Sequence, residues 1–124
     1  MNVDHYFTIG TDHQAQGRPC EDYALSATLP GGAVFGVVAD GCSGANANTD
    51  IGARALAWAF KRTATDAAYQ NPAVLFGHFF QGELVEAFAR HSYTGSPDDT
   101  LATVVGFIAT PDQAAVYLQG DGAL

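Results

Sequence analysis

The sequence predicts an α+β fold in which an antiparallel sheet carries a pair of helices over one face. Three observations predict it. β-like runs cluster at both ends of the chain, two stretches with helical apolar spacing occupy the middle, and turn residues separate neighbouring strand runs. With 124 residues, 48% of them hydrophobic, the chain has the size of one domain and is too short for two.

Residues 6–10 (YFTIG) form a short β-like run, and DYALSATL alternates Tyr23, Leu25, Ala27 and Leu29 with smaller or polar neighbours, as a half-buried strand does. Pro30-Gly31-Gly32 suits a tight hairpin connection. Residues 33–39 (AVFGVVA) are apolar on both faces and read as a central strand covered on both sides, so the first three strands are expected as one meander. After a Gly/Asn-rich loop, Asn48, Thr49 or Asp50 caps a helix running to about Thr63, with Ile51, Ala55, Trp58 and Ala59 on one stripe. A second helix follows Asn71-Pro72. Its Leu75, Phe79, Phe80, Leu84 and Phe88 stand at helical spacing and read as core. Two further strands, in TLATVVGFIAT and AAVYLQG, flank the turn pair Pro111-Asp112. The last strand has just reached a turn when the chain stops, so the sheet is expected to be C-terminally incomplete.

Charge narrows the function. There are 13 acidic against 5 basic residues, a formal charge of -8, which excludes sequence-independent attraction to nucleic acid or anionic lipid. No apolar stretch approaches the ~20 residues of a membrane span, and the N-terminus has neither a basic leader nor an apolar signal core. A cytoplasmic protein without membrane insertion is expected. Cys20 and Cys42 form no C-x-x-C pair and read as reduced thiols. There is no P-loop and no G-x-G-x-x-G.

Acidic residues lie at strand ends or in loops beside small residues: Glu21 and Asp22 ahead of one strand, Asp40 at the end of another, Asp121 after the last. Converging carboxylates repel unless a cation neutralises them, and oxygen donors favour hard divalent ions such as magnesium or manganese. Taken alone, Asp40-Gly41 reads as an ordinary strand-ending turn, Glu21-Asp22 as a solvated strand entry, and Asp121 as part of a G-D-G turn. Arg18 is the only cation among these loops, since Arg54, Lys61, Arg62 and Arg90 fall on the predicted helices. A guanidinium beside a carboxylate-rich site can receive a phosphate in bidentate fashion.

GRPCEDYAL, FGVVADGCSGANANTDIGARALA, DDTLATVVGFIA and VYLQGDGAL occur in the order and at the approximate spacing of the first motifs of type 2C protein phosphatases. Each motif is weak alone; four in register are specific. The chain thus resembles the metal-dependent Ser/Thr phosphatases, especially their bacterial branch, over essentially its whole length. The resemblance implies a β-sandwich flanked by antiparallel helix pairs, in four α-β-β-α layers, of which residues 1–124 are the N-terminal portion.

It also implies a binuclear Mg2+ or Mn2+ centre and a phosphoprotein substrate, in a bacterial Ser/Thr kinase circuit. Asp40 takes the bridging role between the metals and Gly41 that of a carbonyl ligand. Glu21 would bind metal directly or through water, Asp22 would support the site, and Asp121 matches the aspartate of a weaker third metal. Arg18 matches the phosphate-binding arginine, with His13 as a rival for the anion contact. The implied chemistry is attack on phosphorus by a metal-activated water. In agreement, neither cysteine is followed six positions later by the arginine that a cysteine-dependent phosphatase needs. Cys42 stands where the best-known members carry histidine, and the two later metal aspartates of the family fall outside these residues. The isolated chain is therefore expected to turn over little or nothing. The competing expectation is a non-catalytic pseudophosphatase or sensor domain that uses the sheet for protein interaction.

Overall fold

A computed structural model describes residues 1–41, 50–70 and 102–120. The strands β1 (Asp22–Thr28), β2 (Val34–Gly41), β3 (Ala102–Ala109) and β4 (Ala114–Gln119) form one sheet in sequence order, antiparallel throughout. A short helix α1 (Thr11–Ala15) precedes it, and a long helix α2 (Asp50–Gln70) packs on β1, β2 and β3. This is an α+β arrangement with the helix on one face, as the order of apolar patterns predicts.

The connection from β1 to β2 follows from its turn residues. Pro30 supplies the preset φ of the second turn position and Gly31 the positive φ (86°) of the third, and the Gly32 N–H donates to the Leu29 carbonyl at 3.1 Å. The register this sets determines which side chains meet α2. Leu25, Phe35, Val37, Ala39, Val104 and Ile108 lie on the helix-facing side and join Ala53, Leu56, Ala57, Phe60, Ala64 and Ala68 in one core. Small alanines let the helix approach closely, and Phe60 fills the centre, 6.0 Å from Phe35 and 5.8 Å from Tyr117 between ring centroids. Gly106 leaves the room for it: a Cβ there would stand 2.6 Å from the Phe60 ring.

The structure departs from the sequence expectations at four places. Residues 6–10 are not a strand. The N-terminal segment runs beside the edge of β1, held by side chains: His5 Nδ1 and Ser26 Oγ lie 2.9 Å apart, and the Phe7 ring is 5.0 Å from that of Tyr23. The first two strands are therefore a hairpin, and the meander lacks its expected first member.

α2 continues to Gln70 and not just to Thr63. Thr63 and Thr65 donate their hydroxyls to the Ala59 and Lys61 carbonyls at 2.9 and 2.8 Å, so neither interrupts the helix, and buried Ala64 and Ala68 extend its apolar stripe. The stripe itself is rotated from the expected one. Trp58 is half exposed, with Lys61 Nζ 4.6 Å from its ring centroid, and Phe60 is the aromatic that enters the core.

β2 is central but not covered on both sides, for Val38 is 58% exposed. With Phe107, Val116 and Leu118 it forms an apolar surface on the sheet face away from α2. The N-terminal segment and this face border a groove of about 590 Å³ lined by Tyr6, Val38, Phe107 and Val116, among others. The predicted second helix, with Leu75, Phe79, Phe80, Leu84 and Phe88, lies outside the described residues, as do Asn48, Thr49, Cys42 and Asp121. No helix among the described residues is long and apolar enough to cross a membrane.

Candidate functional site

β1 starts where β2 ends, so the carboxylates at those positions meet at one end of the sheet. Asp22 pairs with Asp40 in the antiparallel register, and the Gly41 N–H donates to the Glu21 carbonyl at 3.0 Å. Antiparallel pairs alternate between hydrogen-bonded and non-hydrogen-bonded positions. Glu21 and Gly41 occupy a bonded position, so Asp22 and Asp40 occupy a non-bonded one, where opposed side chains come closest. Both aspartates are exposed on the face away from α2. Like charges directly opposite each other are unfavourable, and a cation shared by their oxygens turns that repulsion into attraction.

The pleat sends Glu21 the other way. It lies on the side of Tyr23 and Leu25, is only 5% exposed, and meets Arg18 Nη2 at 2.5 Å from Oε1 and His13 Nε2 at 3.9 Å from Oε2. Arg18 is delivered by the end of α1. The Gly17 N–H donates to the Gln14 carbonyl at 3.2 Å and the Arg18 N–H to the His13 carbonyl at 2.9 Å, with Gly17 at φ 66°: the paired bonds of a Schellman cap. Glycine's tolerance of positive φ therefore sets where Arg18 and His13 stand. Cys20, a free thiol, points its Sγ at the carbonyls of Thr8 and Asp22, at 3.5 and 3.4 Å, which ties the N-terminal segment to the entry of β1.

Of the residues the sequence singles out, the structure thus gathers Asp22, Asp40 and Gly41 at one strand end, and Glu21 with Arg18 and His13 on the opposite side of the same strand end. Asp121 and Cys42 lie outside the described residues. Sequence reading missed the ion pair between Arg18 and Glu21, although opposite charges three residues apart in RPCE were a signal for it. Among the described residues no group of three or more His, Cys, Asp or Glu side chains is placed to hold a metal ion.

Residues 9–124 match the protein phosphatase 2C family. The chain belongs to this family. No curated protein and no solved structure matches it. For a protein phosphatase 2C domain, the donor chemistry at the strand end is apt: two carboxylates and a backbone carbonyl offer hard oxygens, which magnesium and manganese prefer to sulfur or imidazole. The described part supplies a pair of converging carboxylates.

Proposed function

We propose that this chain carries part of the active site of a metal-dependent phosphatase acting on phosphoserine and phosphothreonine in proteins. The observation that supports it most directly is the placement of Asp22 opposite Asp40 at a non-hydrogen-bonded position, in a chain of the protein phosphatase 2C family. In this reading Asp40 would be the shared ligand of the Mg2+ or Mn2+ ions, with the Gly41 carbonyl and Asp22 as further donors, and Asp121 would hold an additional ion. When bound, the cations supply Lewis-acid activation of water and neutralise charge at the phosphoryl group.

The chain's own residues do the rest. Asp22 and Asp40 concentrate negative charge where cations are wanted. Arg18, partly exposed, has further N–H donors beyond the one on Glu21 and presents them to phosphoryl oxygens, binding and orienting the substrate. The apolar face of Val38, Phe107, Val116 and Leu118 is the surface that a second sheet of a sandwich would cover. The substrate is a phosphoprotein of a Ser/Thr kinase circuit, met in the cytoplasm.

The decisive assay is hydrolysis of p-nitrophenyl phosphate with and without Mn2+ by a protein that carries these residues together with the family's two later metal aspartates, comparing wild type with Asp40→Asn. Manganese-dependent turnover that the substitution abolishes is expected; equal activity in both proteins would sink the bridging role. One observation favours a second reading, a non-catalytic domain that uses the sheet for protein interaction: Val38, Phe107, Val116 and Leu118 are exposed on the sheet face away from α2. That reading predicts Mn2+ binding without turnover, or no Mn2+ binding at all.

A further inference from the structure

Among the described residues Glu21 is the only buried carboxylate. A buried charge is costly unless it is paired and hydrogen-bonded, and here the pairing is specific. Arg18 Nη2 reaches Oε1 at 2.5 Å, and the His13 ring stands 3.9 Å from Oε2. Both partners come from α1 and its cap, held by the bond from the Arg18 N–H to the His13 carbonyl. Asp22 and Asp40, one pleat away, face the opposite side of the sheet.

We infer that Glu21 is a positioning residue for Arg18 and does not ligate the cation. The inference rests on the phosphatase reading and assigns Glu21 a task within it. An arginine side chain has many rotamers, and an exposed one loses that freedom each time it binds an anion. Anchoring one Nη on a buried carboxylate, whose backbone is held at the entry of β1 by the bond from the Gly41 N–H to the Glu21 carbonyl, removes most of this freedom beforehand. Arg18 then offers its remaining donors in a fixed direction. The flat guanidinium permits the division of labour: five N–H groups in a fork serve a carboxylate on one edge and a phosphoryl group on another.

The test separates the two roles by measuring two affinities. Mn2+ binding is followed by electron paramagnetic resonance in the absence of phosphate, and orthophosphate binding by calorimetry at saturating Mn2+, for wild type, Glu21→Gln, Arg18→Ala and the double variant. The expected result is a loss of orthophosphate affinity in Glu21→Gln of about tenfold, with Mn2+ affinity within about twofold of wild type. The double variant should bind orthophosphate no more weakly than Arg18→Ala alone, since Glu21 acts only through Arg18. A purely structural role would lower the melting temperature without this dependence on Arg18. Glu21→Asp, which keeps the charge and shortens the reach, should recover part of the affinity and guards against misfolding of the glutamine variant. A tenfold loss of Mn2+ affinity in Glu21→Gln, additive losses in the double variant, or a wild type that does not bind orthophosphate would each overturn the inference. The phosphatase reading is judged separately, by turnover in wild type and Asp40→Asn.

Discussion

Asp22 and Asp40 oppose each other across the β1–β2 ladder at a position without ladder hydrogen bonds, with both carboxylates on one exposed face. The repulsion should be measurable. Asp22→Asn is expected to stabilise the protein in chelator by roughly 0.2–1 kcal/mol, a rise of a few degrees in melting temperature. In wild type, Mn2+ should raise the melting temperature, and the increment should shrink in the variant. Thermal unfolding in EDTA and in Mn2+ checks both; a variant less stable than wild type in EDTA would contradict the account.

Gly106 and Gly36 both face an aromatic ring but differ in what the ring can do. A Cβ at Gly106 meets Phe60, which is 1% exposed and hemmed in by Phe35 and Tyr117. A Cβ at Gly36 meets Phe107, a partly exposed ring with room to swing aside. Gly106→Ala should cost about 1–3 kcal/mol and Gly36→Ala distinctly less, as read by urea denaturation midpoints.

Phe60 and Trp58 should respond in opposite senses to expectation from size. Phe60→Ala opens a cavity at the centre of the helix–sheet core and should cost roughly 3–5 kcal/mol, a large share of a small domain's stability. Trp58→Ala removes a larger side chain that is half exposed and should cost about 1 kcal/mol or less. Circular dichroism melts of the two variants decide the order.

Burial raises the Tyr117 phenol above its ordinary value of 10.0. Its neutral form is thus favoured in the folded state, so its contribution to stability is complete below pH 10 and is lost as the pH climbs through the raised value. Melting temperatures from pH 8 to 11 should fall at the alkaline end in wild type, and fall less in Tyr117→Phe.

Much of this was legible in the residues. The alternation in DYALSATL, the Pro30-Gly31-Gly32 turn and the Pro111-Asp112 turn locate β1, β2, β3 and β4 closely, because a period of two and a glycine at positive φ are local properties. The order of motifs placed the chain in the phosphatase family that residues 9–124 match. Where the reading went astray, the competing forces were not local. The run at 6–10 has strand-like residues, yet it is side-chain contacts to Tyr23 and Ser26 that hold the segment beside β1. Trp58 and Phe60 are both aromatic residues on α2, and only the rotation of the helix over the sheet selects Phe60 for the core.

The candidate site divides along the same line. The sequence alone determined which residues carry charge at strand ends and which glycines turn the chain, because these depend on residue identity and near neighbours. The tertiary structure decided which charges meet. A register set by the β1–β2 hairpin placed Asp22 against Asp40, and the pleat, with a period of two, turned adjacent Glu21 to the other face and into the reach of Arg18. Two acidic residues side by side in the chain therefore face opposite sides of the sheet.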